Sequence, residues 1–191
     1  MLLIEDESEG HTKRHYATAF FIGPNMLLTA GHCTLGTVDP RIRLIISRPF
    51  ESAPIDLMDL ISRRMETIEC TVLGSLYQKD GPGDLDISIL HSGTYNSPTF
   101  LELSTHPIPV NAIADVIGYP GRHSTDFIVS HSGLTKPFHE CVASAETLLP
   151  AQTLTVTRGT IKTVGSTISY EIATCPGMSG SCLLYKGKVY G

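Results

Sequence analysis

The sequence predicts an all-β protein, either a sandwich or a barrel. Two observations carry that expectation. Short apolar runs of strand length recur along most of the 191 residues. Gly, Pro and Asn stand between them, where a chain of strands needs turns. Hydrophobic residues make up 41% and charged residues 17%, a balance that can bury a core and excludes a disordered chain. No apolar run approaches the roughly 18 residues of a membrane-spanning helix.

Residues 1–10 carry Glu5, Asp6 and Glu7 and read as a loose acidic lead-in. They have no basic segment followed by a long apolar one, so they do not form a signal peptide. Thr18 to Ile22 and Met26 to Thr29 are short apolar runs either side of Gly23-Pro24-Asn25, which predicts a hairpin. Arg41 to Ser47 and Ile68 to Leu73 are strand candidates. Between them, Ile55, Leu57, Met58, Leu60 and Ile61 recur closer to a helical period, so 51–67 reads as a helix or an irregular insertion. Ile87 to Leu90 is a strand entered from a Gly81-Pro82-Gly83 turn.

The second half repeats the pattern. Its strand candidates are Ala114 to Ile117, Phe127 to Ser130, Leu154 to Thr157, Thr160 to Val164, Thr167 to Ile172, Ser181 to Tyr185 and Lys188 to Tyr190. Thr94 to Val110 holds Pro98, Pro107 and Pro109 and marks the boundary between two lobes, 11–97 and 98–191.

A net charge of −5 and a pI near 5.9 argue against a nucleic-acid partner, which would favour a basic face. The eight His are scattered, with no H-E-x-x-H pair and no EF-hand loop. No metal and no cofactor is expected. The five cysteines, Cys33, Cys70, Cys141, Cys175 and Cys182, form no C-x-x-C pair. Their odd number leaves at least one unpaired.

Three short segments carry chemistry. Leu28-Thr29-Ala30-Gly31-His32-Cys33 ends a strand and presents an imidazole on the turn. Asp84-Leu85-Asp86-Ile87 sets a carboxylate at the mouth of an apolar strand, where it can be buried and aimed at an imidazole. Asp86 is preferred to Asp84 because it abuts the apolar run. Cys175-Pro176-Gly177-Met178-Ser179-Gly180-Ser181 flanks a hydroxyl with glycines, which let the backbone turn sharply and leave N–H groups facing a reacting carbonyl. Each segment alone is an ordinary loop feature. Together they supply a hydroxyl, a base and an orienting carboxylate, the groups that nucleophilic acyl transfer needs.

Thr29-Ala30-Gly31-His32-Cys33, Asp86-Ile87-Ser88-Ile89-Leu90 and Gly177-Met178-Ser179-Gly180-Ser181 resemble the three signature blocks of the trypsin/chymotrypsin-like serine proteases, in the same order. Val116-Ile117-Gly118-Tyr119-Pro120-Gly121 and Ser169-Tyr170-Glu171-Ile172-Ala173-Thr174 resemble the glutamyl endopeptidase branch. The likeness runs from about Ala19 to Gly191.

The resemblance implies two packed six-stranded antiparallel β-barrels. It implies a serine endopeptidase that works through an acyl-enzyme on protein or peptide substrates, with a preference for cleavage after Glu or Asp. Ser179 would be the nucleophile, His32 the base and Asp86 its orienting partner. The backbone N–H groups of Gly177 and Ser179 would form the oxyanion hole, and Thr174 would bind the substrate side chain. A monomer and an extracellular setting go with the same likeness; no membrane or nucleic-acid partner is expected, from the short apolar runs and the net charge. The alternative is a catalytically inactive binding or scaffold member of the fold; an HtrA-like or viral-type preference is another.

Three departures stand out. Met178 replaces the Asp that pairs with a new N-terminus in trypsin-type enzymes, so activation of that kind is not expected. No Cys precedes Cys33 in the first hairpin, and Cys70 is the partner assigned to it in this reading. Cys175 and Cys182 pair with each other, with Cys141 or with nothing. Beyond Gly191 the resemblance calls for a further strand and a C-terminal helix, so the second barrel is expected to be incomplete and the chain a fragment.

Overall fold

The computed structural model describes residues 1–8, 11–35, 41–45, 67–78, 85–121 and 149–191. Their regular structure is almost entirely β. The elements are β1 (Leu2–Ser8), β2 (His11–Ala17), β3 (Phe20–Phe21), β4 (Met26–Thr29), a 3-10 turn (Gly31–Cys33), β5 (Arg41–Ile45), β6 (Thr67–Gln78), β7 (Leu85–His91), β8 (Glu102–Leu103), β9 (Ile113–Gly118), β10 (Thr155–Val164), β11 (Ile168–Glu171), β12 (Cys182–Tyr185) and β13 (Lys188–Val189). No helix among the described residues is long and apolar enough to cross a membrane.

The strands form two sheets. A seven-stranded sheet runs β2-β1-β5-β6-β7-β4-β3, and a six-stranded sheet runs β11-β10-β9-β12-β13-β8. Every pairing is antiparallel except β13 with β8. The architecture is that of the chymotrypsin-like double barrel.

The expected hairpin forms: Phe20 faces Leu28 and Phe21 faces Leu27 across Gly23-Pro24-Asn25. The acidic lead-in does not stay loose. It becomes β1, paired with β2 on one side and β5 on the other, and this adds a strand to the expected six. The reason is burial. Leu2 and Ile4 enter the first core beside Leu27, Ile42 and Leu90, while Leu3 and Met1 pack on Tyr119 of the second half. A strand buried on both faces reads as an unbroken apolar run, without the alternation that marks a half-exposed strand.

In the second half, the two expected strands 154–157 and 160–164 are one. β10 pairs with β9 over its first residues and with β11 over its last, so a single long strand serves two partners. Ile161, Val116, Ala114, Leu183 and Met178 form the second core. The expected strand at 127–130 and nearly all of the 51–67 insertion lie outside the described residues.

Candidate active site

His32 is placed by a tight turn. After β4 the chain enters the 3-10 turn at Ala30, and the N–H groups of Cys33 and Thr34 close it on the carbonyls of Ala30 (3.2 Å) and Gly31 (3.0 Å). The Thr34 hydroxyl, itself buried, meets Ser75 Oγ of β6 at 2.8 Å and donates to Ser88 Oγ of β7 at 2.9 Å. These contacts sew the turn to the two strands that flank it. β7 sends Asp86, Ser88 and Leu90 to one face, because side chains alternate along a strand. Ser88 and Leu90 are fully buried, and Asp86 stands at the open end of that row.

Asp86 accepts two hydrogen bonds from His32. One oxygen takes the backbone N–H of His32 at 2.8 Å, and the other lies 2.7 Å from Nδ1. On the far side of the ring, Nε2 is 3.0 Å from Ser179 Oγ. The three side chains expected to meet are therefore in one chain of hydrogen bonds. One expectation fails: the carboxylate is not buried. The Asp86 side chain is 38% exposed and that of His32 is 43% exposed, because both lie at the rim of the first barrel. Asp84 lies outside the described residues.

Tyr77, directly across the sheet from Asp86, presents its ring at 62° to the imidazole with 6.0 Å between centroids. Nothing in the local sequence marked Tyr77. Its position follows from the register of β6 against β7, which shifts at a bulge between Val72 and Gly74.

Ser179 sits in the loop between β11 and β12. Two turns shape it, with the N–H of Met178 on the carbonyl of Cys175 (3.1 Å) and that of Ser181 on the carbonyl of Met178 (2.9 Å). Met178 is buried in the second core, so the residue that departs from the trypsin-type pattern anchors the loop by packing. Gly177 has φ +92°, and a Cβ there would lie 2.2 Å from Gly121 N. Only glycine reconciles that backbone conformation with that contact. Among the described residues, no acceptor takes the N–H of Gly177 or of Ser179. Thr174 lines the same cavity of about 540 Å³ as His32, Asp86 and Ser179, together with Tyr170 and the 166–168 turn.

Cys33, Cys70, Cys175 and Cys182 are free thiols, which overturns the Cys33–Cys70 pairing and leaves Cys175 and Cys182 with the last of their three alternatives, no partner. The thiols are built into packing instead: Cys33 belongs to the first core, and Cys182 is buried on β12. Burial pushes the thiols of Cys33, Cys70, Cys175 and Cys182 up to about 11. Cys141 lies outside the described residues. No group of three or more His, Cys, Asp or Glu among the described residues could hold a metal.

Sequence reasoning missed Thr18, between β2 and β3. It is buried, and its N–H donates to the carbonyl of Ser179 at 2.8 Å. Its hydroxyl reaches the carbonyl of Gly177 at 3.3 Å. The residue lies about 160 positions from its partners, so no local pattern announces it.

Solved structures share this fold at low identity. The inactive form of a Ser-to-Ala mutant of Rv3671c from M. tuberculosis is 16% identical, with a TM-score of 0.54 over 98% of this chain and 73% of that one. A Glu endopeptidase in complex with MPD is 16% identical, with a TM-score of 0.55 over 99% of this chain and 76% of that one. No curated protein matches by sequence. The family model described as Trypsin matches residues 4–191. With that match spanning nearly its whole length, the chain belongs to the trypsin family, within the chymotrypsin/trypsin-like serine proteases.

Proposed function

We propose that the protein is a serine endopeptidase that cleaves proteins or peptides through an acyl-enzyme. The observation that carries this reading is the unbroken chain of polar contacts from Asp86 through His32 to Ser179, at 2.7 Å and 3.0 Å. Asp86 accepts a hydrogen bond from Nδ1–H, which leaves Nε2 of a neutral imidazole as an acceptor for the Ser179 hydroxyl.

The chemistry then runs in two halves. Ser179 Oγ attacks the scissile carbonyl carbon while its proton passes to His32 Nε2. The carbonyl oxygen becomes an oxyanion facing the N–H groups of Gly177 and Ser179. Each such donor is worth about 2.7–4 kcal/mol to the barrier. The tetrahedral centre collapses, the C–N bond breaks, and Nε2 returns the proton to the leaving amine. A water then attacks the ester with His32 again as base, and the acid product and Ser179 are released. Asp86 steadies the imidazolium in both halves. His32 and Asp86 belong to the first lobe (11–97) and Ser179 to the second (98–191), so the reacting bond lies between the lobes.

Cleavage after Glu or Asp is the specificity we propose. Thr174 supports it by offering a hydroxyl in the cavity that holds Ser179. A fluorophosphonate probe tests the catalytic reading: wild type is labelled at neutral pH, and Ser179→Ala is not. A folded wild type that resists the probe and leaves casein intact would instead be a non-catalytic member of the family. Profiling on a peptide library tests the preference, which is abandoned if residues other than Glu or Asp dominate before the cut.

A further inference from the structure

Every polar atom of Thr18 is engaged. Its N–H donates to the carbonyl of Ser179 (2.8 Å). Its carbonyl accepts the Thr29 hydroxyl (2.7 Å). Its hydroxyl accepts the N–H of Tyr119 (2.9 Å) and donates to the carbonyl of Gly177 (3.3 Å). One buried first-half residue thus binds the nucleophile loop at two places and the Gly118–Gly121 segment at a third.

The consequence concerns the peptide between Pro176 and Gly177. Its carbonyl accepts the N–H of Gly121 at 2.7 Å. In a planar trans peptide the N–H points opposite to the C=O, so this bond from behind turns the Gly177 N–H the other way. On the other side of the Gly177 Cα, the next carbonyl is held by the Thr18 hydroxyl. Both peptides flanking the +92° residue are anchored. The Thr18 hydroxyl serves both anchors, since its bond from the Tyr119 N–H holds the segment that carries Gly121.

We propose that Thr18 is a positioning residue for the oxyanion loop, with its side-chain hydroxyl fixing the direction of the Gly177 N–H. The proposal rests on the serine endopeptidase reading, but the loop geometry is measurable without turnover. Gly follows Pro at three places only, Gly83, Gly121 and Gly177. Labelling with carbonyl-13C proline and 15N glycine therefore yields amide signals from those three alone.

Thr18→Val keeps the shape and removes the hydroxyl; Thr18→Ser keeps the hydroxyl. In Thr18→Val, the Gly121 and Gly177 signals move, while Thr18→Ser keeps both near their wild-type positions. In turnover, Thr18→Val lowers kcat about 10- to 100-fold, part of the loss expected for a missing oxyanion donor. KM stays within about twofold, as for an interaction felt only in the transition state. Affinity for a peptidyl boronate, which mimics the tetrahedral centre, falls with kcat, and Thr18→Ser restores both.

Unmoved Gly121 and Gly177 signals in Thr18→Val overturn the proposal. So does a Thr18→Ser variant as defective as Thr18→Val, or an unchanged kcat in an active enzyme. If the wild type hydrolyses nothing, the endopeptidase reading falls, and the three amide signals alone decide the role of Thr18.

Discussion

Asp86 grips His32 at both ends of its carboxylate, with one oxygen on the backbone N–H at 2.8 Å and the other on Nδ1 at 2.7 Å. The two bonds define the ring's tautomer as well as its place. Both atoms are donors toward Asp86, so Nε2 is left to accept from Ser179.

That relationship makes Asp86→Asn a sharp test. The amide oxygen keeps the backbone N–H, and the amide NH2 then faces Nδ1. Nδ1 becomes an acceptor, the proton moves to Nε2, and the base is blocked. We expect kcat to fall about 10⁴-fold with little change in melting temperature. Steady-state kinetics with thermal denaturation checks both; a loss below tenfold would contradict the assigned role.

Gly177→Ala is expected to damage activity and folding together. The new Cβ meets Gly121 N at 2.2 Å in a backbone conformation that L-residues avoid. Relief requires turning the peptide that carries the Gly177 N–H. The expected cost is about 10²–10³ in kcat, read in a peptide assay beside a Gly187→Ala control. Gly187 also has positive φ, but nothing lies within 4 Å of its added Cβ. Equal activity in the two variants would count against an oxyanion role for this loop.

The four described thiols predict a loss of stability at high pH. In the unfolded chain they ionise near 9, and in the folded protein near 11. Between those values the unfolded state binds fewer protons, so stability falls as pH rises. The contribution is fully present below pH 9 and is lost as pH climbs through about 11. Urea unfolding from pH 8 to 10.5 measures it, with Cys182→Ala showing a shallower decline than wild type. At pH 7.5 Cys33, Cys70, Cys175 and Cys182 alkylate slowly in the folded protein and rapidly in the urea-unfolded chain, which peptide-level mass spectrometry resolves.

Leu3→Ala tests the N-terminal strand. Leu3 is 1% exposed and packs with Met1 and Tyr119 between the two halves. Removing it should cost about 2–5 kcal/mol by lost burial and an unfilled cavity. A value under about 0.5 kcal/mol, from denaturant curves with unchanged slope, would return residues 1–8 to the loose lead-in that composition suggested.

Chemistry that repeats over a few residues was legible in the sequence. The hairpin around Gly23-Pro24-Asn25, the strand behind Asp86, and the glycines either side of Ser179 announce themselves because turn backbone and strand alternation are local properties. The meeting of His32, Asp86 and Ser179 was expected from the resemblance of their three segments to the serine protease signature blocks. Long-range register was not legible. It alone set Tyr77 beside His32, joined 154–157 and 160–164 into β10, and folded an acidic-looking leader into the middle of a sheet. Cysteine pairing was not legible for the same reason, since whether two thiols meet depends on distances between strands, and packing used Cys33 and Cys182 as buried apolar groups. Thr18 is the clearest case. A threonine before a hairpin has no signature, and only the closing of one half on the other brought its hydroxyl to Gly177 and Tyr119.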